Sequence, residues 1–391
     1  SIKPLATYGP AMDAGIATPD TTVYDRALIQ DAEGNPWPMN DGKYPTGRAM
    51  TVEEGMTRSL NTISAQLLKQ LTPQKSYEFM TQQLGFKLVD SRTNEDGTVQ
   101  SDIDLAPLAL GALTDGVTVR EMAGGFSTFI NDGVYGGTRT YTKVTREVDG
   151  VETVLLENQP ESEAVLKSET AYYVNSILRE VVTRVNTSGN FDSGMAIAGK
   201  TGTTDDKYDR WFVGYTPYLT AGIWLGYDQN YAMEGELSET EHEYLWSRIM
   251  RRIDAECGYE PTSFTVPENI GTRTVCSKSG KLVGTSACTP VTEYFDLTSL
   301  PSGYCNDHIG ATICNVCGGI ANENSKSTSY KEYSSSSEIP SYSCTCPPET
   351  ESASSTESET TPTTTPSTEP PVDTPAAPTT PTDPTAPTPV G

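Results

Sequence analysis

Apolar positions recur at helical spacing in several stretches of this chain. In residues 168–185, Ala171, Val174, Ile177, Leu178, Val181 and Val182 fall on one stripe, which predicts an amphipathic helix. Residues 51–71 show the same period through Met56, Ile63, Leu67 and Leu71, and a further helix is predicted over residues 73–84, ended by Gly85. Helices are also predicted over residues 2–14 and 238–254. Pro4 fits the first of these only within its opening turn, so that helix is predicted to initiate just upstream of Ser1. Elsewhere the period falls to two. Tyr141, Val144, Val148 and Val154 flank Asp149-Gly150, a pattern that predicts a hairpin. Met195-Ala196-Ile197-Ala198 is an unbroken apolar run that reads as a buried strand, followed by strand-like residues 210–216 and 219–227 with a turn at Pro217. Three strands without an intervening helix predict an antiparallel meander. Helices packed on such a sheet define an α+β fold. Residues 17–43 read as loop, residues 104–133 carry mixed helix and turn signals, and no internal repeat is apparent.

Composition divides the chain. From residue 322 onward Ser, Thr, Pro and Glu dominate, and such a segment buries too little apolar surface to offset its ordering entropy. The expected organisation is a folded unit over residues 1–250, a Cys-containing extension over 251–321 and a disordered tail over 322–391. All eight cysteines lie between Cys257 and Cys346, an arrangement that suits an exported protein with disulfides in the extension. Two alternatives stand beside that reading. Cys305-x-x-His308 followed by Cys314-x-x-Cys317 has zinc-like ligand spacing, and the thiols could also be free or intermolecular. The net charge of −25, with no basic stripe to neutralise phosphates, excludes a nucleic-acid partner and reads as simple solubility. No transmembrane segment or signal peptide is visible: residues 211–227, the longest uncharged stretch, contain Gly214, Pro217 and Gly222 and read as strands.

Candidate chemistry concentrates at Lys200-Thr201-Gly202-Thr203, which ends the apolar run. A Lys, two hydroxyls and a Gly at a strand end let a ligand's backbone lie close while cation and hydroxyls hold an anionic group. Residues 194–201 also satisfy the phosphate-loop pattern G-x-x-x-x-G-K-[ST]. That loop requires a strand before it and a helix starting at the Lys. Polar residues 186–193 precede it and Gly202, Thr203, Thr204, Asp205 and Asp206 follow, so the context opposes nucleotide binding. Ser59-Leu60-Asn61 on the 51–71 helix and Lys3 near the N-terminus complete the constellation. Taken singly, Ser59 and Asn61 read as polar residues on a helix face, Lys3 as an exposed lysine and Lys200 as a turn residue.

Order and context lift them above that. Lys3, Ser59-Leu60-Asn61 and Lys200-Thr201-Gly202 resemble the S-x-x-K, S-D-N and K-T-G motifs of penicillin-binding proteins and serine β-lactamases. Further segments resemble class A high-molecular-weight penicillin-binding proteins: Arg48-Ala49-Met50-Thr51-Val52, Gly116-Val117-Thr118, Asn131-Asp132-Gly133-Val134-Tyr135, and Trp211-Phe212-Val213-Gly214-Tyr215-Thr216-Pro217. The resemblance covers about residues 1–249 and includes Lys3-Pro4-Leu5 opening into Pro19-Asp20-Thr21. In S-x-x-K the nucleophilic Ser lies three residues before the Lys, on the same helix face. Three residues before Lys3 is the position preceding Ser1. The expectation is therefore that the chain begins one residue after its nucleophile, with Ser1 as the first x of the motif.

The resemblance implies a D,D-transpeptidase. A Ser attacks the D-Ala-D-Ala end of a peptidoglycan stem peptide, releases D-Ala, and passes the acyl group to an amine on a neighbouring strand. Penicillin acylates the same Ser, and no metal or organic cofactor is required. The implied roles are Lys3 as base, with its pKa lowered by burial and by Lys200, which also binds the substrate carboxylate. Ser59 relays a proton, Asn61 binds the substrate amide, and the Thr203 N–H joins the oxyanion hole. The Thr201 and Thr203 hydroxyls bind the carboxylate, with Gly202 between them. A membrane anchor and a glycosyltransferase domain are implied upstream, with this part facing outward from the membrane. A D,D-carboxypeptidase, a serine β-lactamase and a non-catalytic peptidoglycan-binding module remain as alternatives.

Overall fold

The computed structural model describes residues 1–347 apart from 31–33, 160, 186, 188–190, 192–193, 205–206, 230, 234–237, 278, 286–287, 299, 307–308 and 334–335. The tail from residue 348 and His308 lie outside the described residues.

The N-terminal helix runs through the middle of the molecule. It winds first as a wide turn, Pro4–Tyr8, and continues as Gly9–Asp13; together these are α1. Leu5, Ala6, Tyr8 and Ala11 are all fully buried, so α1 has no polar face. Two prolines shape it. Pro4 sits in the first turn, where a missing N–H costs nothing. Pro10 cannot donate to the carbonyl of Ala6 four residues back, and the Ser76 hydroxyl donates to that carbonyl instead. The Gly9 N–H reaches one residue further, to Pro4 O.

Helix α2 (Val52–Thr57) packs on α3 (Asn61–Leu71), which lies beside α1 and is followed by α4 (Pro73–Glu78, extended by Phe79–Gln83). The Thr51 hydroxyl caps α2 by accepting from the Glu54 N–H at 3.1 Å. The periodicity that predicts one helix over residues 51–71 is met by two, because the chain turns at Ser59 with φ +57°. The turn is held by Ser59 N–H to Met56 O and Leu60 N–H to Gly55 O, both 2.9 Å. A β-carbon on Gly55 would lie 2.8 Å from Ile63, so the two helices close onto each other only over a glycine.

Helices α5 (Val119–Ser127), α6 (Ser168–Arg184) and α7 (Glu241–Cys257) surround an antiparallel sheet in the order β1 (Ala198–Thr203), β2 (Asp209–Tyr215), β3 (Thr220–Gly226). The meander is as expected, and no helix follows Lys200, which removes the phosphate-loop reading. Met195 and Ile197 are buried but lie on irregular backbone, so the strand begins only at Ala198. Side chains alternate across β2. Val213 and Tyr215 join the large core with α1 and α6, whereas Phe212 faces α7 and meets Trp246 edge-on, ring centroids 5.1 Å apart. The hairpin Lys143–Val148/Val151–Glu157 forms around Asp149-Gly150, as predicted, and stands in solvent.

The extension is built from two hairpins: β4 (Ile270–Cys276) with β5 (Pro290–Asp296), and β6 (Ile309–Cys314) with β7 (Thr328–Tyr333). Ordered pairing thus continues beyond residue 322, the point from which composition predicts disorder. The first hairpin docks on α2 and α6: Tyr294 meets Tyr172 edge-on at 5.1 Å, and the Asp296 N–H donates to the Tyr173 hydroxyl. The seam also encloses acids. Burial and mutual repulsion raise Asp20, Glu53 and Glu293 each to about 7, with Glu180 adding to the repulsion on Glu53 and Glu293. A carboxyl whose folded value is raised holds a proton that the unfolded chain has lost, so this contribution to stability is complete in acid and disappears as pH rises through about 7. Hydrogen exchange of β4 and β5, corrected for intrinsic rate, is therefore expected to be faster at about pH 8 than at about pH 5.5. Equal protection at both values would contradict this.

Candidate active site

Lys3 opens α1 and is 7% exposed. Its Nζ lies 2.7 Å from Ser59 O, 2.6 Å from Asn61 Oδ1 and 3.5 Å from Ser59 Oγ. The Ser59 turn makes this possible. By leaving the helical path there, the chain turns Ser59's carbonyl and hydroxyl toward Lys3, and Asn61 becomes the first residue of α3 rather than a mid-helix position. Asn61 is oriented from behind, since its Nδ2 donates to Met39 O at 2.9 Å and leaves Oδ1 for the amine.

The neighbouring loop, read from sequence only as Pro/Asp/Gly-rich, anchors this turn. Asp25 is buried and accepts from the Thr62 hydroxyl, the Asn40 amide, and the Thr46 N–H and hydroxyl, all at 2.7–2.8 Å. Burial pushes its carboxyl upward, but these donors outweigh it and hold Asp25 below its ordinary value. Asn40 Oδ1 also accepts the Thr62 N–H, in the first turn of α3. No motif marked Asp25 or Asn40.

Lys200 lies on β1 and is 2% exposed. Burial lowers its ammonium to about 8, with Glu243 of α7 acting in the opposite direction. Glu243 itself is raised by burial, against the Thr187 hydroxyl at 2.7 Å and the charge of Lys200. Sequence reading passed over Glu243, although it shares the α7 stripe with Trp246 and Met250, where an acid is out of place. Burial and then the charge of Lys200 depress Lys3 to about 7. The charge of Lys200 therefore acts on Lys3 across the site.

Thr201, Gly202 and Thr203 run from this buried position to the surface. Strand β1 is at the sheet edge. Thr204 N–H pairs toward β2, with Asp209 O, so antiparallel alternation turns the N–H and C=O of Thr203 to the free edge. Gly202 serves space rather than torsion: a β-carbon there would lie 2.4 Å from the backbone nitrogen of Ser1. What lies against Gly202 is thus the chain's own segment leading into α1. The Ser1 hydroxyl is turned to Lys200 O at 3.3 Å, not to Lys3.

A buried amine of depressed pKa, a hydroxyl beside it, a second buried cation and a free strand edge thus lie together at one place in the fold. Residues 1–235 match the penicillin-binding protein transpeptidase domain. The chain belongs to that family, as a transpeptidase domain of the class A penicillin-binding type. It is 30% identical over 336 residues to penicillin-binding protein 1A of Clostridium botulinum (strain Hall), covering 83% of this chain and 38% of that protein. It is 33% identical over 259 residues to penicillin-binding protein 1A of Clostridium acetobutylicum, covering 64% and 30%. The chain thus spans well under half the length of these relatives. Its fold matches the crystal structure of penicillin-binding protein 1A from Haemophilus influenzae with TM-score 0.62 at 21% identity, over 78% of this chain and 48% of that one. It also matches the D,D-transpeptidase domain of a peptidoglycan glycosyltransferase from Eggerthella lenta, with TM-score 0.51 at 19% identity, over 66% of each. Peptidoglycan transpeptidation is the function of this family. Among the described residues no helix is long and apolar enough to cross a membrane.

Proposed function

We propose that this domain cross-links peptidoglycan through an acyl-enzyme on a serine immediately preceding Ser1. The observation that carries the reading is the Lys3 amine, held near 7 between Ser59, Asn61 and Lys200. A neutral Lys3 has two N–H bonds, which Ser59 O and Asn61 Oδ1 take up, and its lone pair is left to accept a proton. The position three residues before Lys3 is on the same helical face, one turn away. Its hydroxyl loses a proton to Lys3 as oxygen bonds to the carbonyl carbon of the penultimate D-Ala. The Thr203 N–H, on the open edge of β1, joins the serine's own N–H in holding the oxyanion. The peptide C–N bond then breaks, and terminal D-Ala leaves with a proton delivered through Ser59. Lys200, with the Thr201 and Thr203 hydroxyls, holds the substrate's carboxylate; Asn61 and the β1 edge hold its amide backbone. An amine from a second stem peptide attacks the ester, forms the new amide and returns the serine. Penicillin enters by the same attack, with its ring C–N bond opening in place of the peptide bond.

The resemblance to class A penicillin-binding proteins implies an upstream membrane anchor and glycosyltransferase domain, with the site on the outer, cell-wall side of the cytoplasmic membrane. The test is product analysis with a D-Ala-D-Ala stem peptide and an amine acceptor, on protein carrying its native residues before Ser1. A cross-linked dimer with equimolar D-Ala is expected. Hydrolysed monomer alone would make it a carboxypeptidase, and rapid turnover of penicillin a β-lactamase; binding without turnover would leave a recognition module.

The pKa order fixes the pH dependence. Lys3 accepts a proton only above about 7, where its depressed ammonium is neutral. Lys200 carries its charge only below about 8. Acylation by penicillin is expected to rise through the first value and fall through the second, a narrow bell. A rate that keeps rising in alkali would mean that the charge of Lys200 is not needed.

A further inference from the structure

No two of the eight cysteines are joined in a disulfide in the structure, so the disulfides expected in the extension are not formed. Seven of the eight instead gather into two knots, Cys276/Cys288/Cys305 and Cys314/Cys317/Cys344/Cys346, with the sulfurs of each knot within 4.8 Å of one another. We propose that Cys314, Cys317, Cys344 and Cys346 bind one zinc-class dication as four thiolates, and that this metal organises the second hairpin of the extension.

Geometry makes the first argument. A disulfide draws two sulfurs to about 2 Å and leaves them indifferent to a third. Four ligands on one tetrahedral zinc, at about 2.3 Å each, stand roughly 3.8 Å apart in every pairing. The second pattern is the one present, with Cys314 Sγ and Cys346 Sγ 3.5 Å apart. The first knot is a trio, so pairing would leave one sulfur over, whereas three donors can share one ion.

Packing makes the second. Near its knot each hairpin of the extension buries little hydrocarbon beyond one strand residue, Val275 in the first and Ile313 in the second. The buried cluster of the first is Cys276, Cys288 and Cys305 with Val283 beside it; that of the second is Cys314, Cys344 and Cys346 with Cys317 beside it. Most of β7 is exposed. A module whose core is sulfur gains little from the hydrophobic effect and depends on a bound metal or covalent bridges.

Recurrence makes the third. The two knots are copies of one local structure, a repeat that the sequence conceals. In the first, Leu282 bridges antiparallel to Val275 and parallel to Tyr304; in the second, Ile320 bridges antiparallel to Ile313 and parallel to Ser343. Cys276 and Cys314 end equivalent strands, and Cys305 and Cys344 follow the equivalent bridges. After each strand the chain makes a tight turn over a left-handed glycine, Gly280 or Gly318, whose N–H returns to the cysteine carbonyl at 2.8 Å. In the second turn, Cys314-Asn315-Val316-Cys317 has the two-residue spacing of a structural zinc loop; Cys344-x-Cys346 is tighter. The N–H groups of Gly319 and Thr345 donate to the Cys317 sulfur and fix its place in the knot.

The test uses the full chain, purified without chelator or reductant. Zinc is counted by elemental analysis, and thiols by alkylation and intact mass before and after a strong chelator. Bound zinc is expected, with these four thiols protected until the metal is removed and alkylated afterwards. Cys346→Ser lowers the zinc content by one ion per chain, and Cys346→His, which keeps a metal donor, restores it. A metal-free chain lighter by two hydrogens per bridge would overturn the proposal in favour of disulfides. Thiols that alkylate freely without chelator, or zinc content unchanged in Cys346→Ser, would overturn it as well.

Discussion

Lys3→Ala is expected to slow acylation by penicillin by about 10³-fold, the range that a positioned base contributes. Lys3 stands one helical turn from the position before Ser1, on the same face, where it can take that residue's proton. Its pKa is also tuned for the task, since burial and Lys200 bring it to about 7 while an exposed lysine would stay charged. Lys3→Arg is expected to fare no better, because a guanidinium keeps its proton at any working pH. The measurement is the second-order rate of covalent labelling, made on protein that retains its native upstream residues and its melting temperature. A variant within about tenfold of the parent would remove Lys3 from the base role.

The second large effect belongs to Gly202. In Gly202→Ala the new methyl would sit 2.4 Å from the backbone nitrogen of Ser1 and 2.7 Å from its hydroxyl. Neither backbone can absorb that overlap in place, so the start of α1 and the edge of β1 must move apart. That movement separates the nucleophile's position from the Thr203 N–H. A displacement near 1 Å costs about 10²-fold when reacting groups must be aligned. The expected result is a fall of at least about that size in acylation rate, with penicillin affinity less affected. Gly85→Ala is the contrasting substitution: its glycine adopts φ +70° at a helix end with nothing within 4 Å of an added carbon, so it strains the backbone without touching the site. If Gly202→Ala acylates normally, the close approach at Ser1 has no catalytic meaning.

Much of this site was legible because its residues are read by order along the chain. Lys3, Ser59, Asn61 and Lys200 fall on elements whose periodicities were plain, and the meander after Lys200 separated a strand edge from a phosphate loop. The Ser59 turn was not legible. Met56, Ile63, Leu67 and Leu71 keep helical spacing across it, and a non-glycine residue at positive φ leaves no Gly or Pro to mark the break. Strain of this kind is found where a side chain must be aimed, and here it aims Ser59 at Lys3. Asp25, Asn40 and Glu243 were missed because each acts through partners far away in sequence: Thr62, Thr46, Lys200 and Thr187. The repeat in the extension was hidden because its two copies share backbone bridges and the placing of Cys276 with Cys314 and of Cys305 with Cys344, while Cys288, Cys317 and Cys346 fall at offsets without a counterpart.

The central claim is that the nucleophile directly precedes Ser1. Its most direct measurement is the site of the penicillin adduct, mapped by proteolysis and mass spectrometry on protein carrying its native upstream residues. The account predicts a single stable adduct on the residue before Ser1, lost when that residue is replaced by Ala. An adduct on Ser1 or Ser59, or a folded protein that gains no mass, would contradict it.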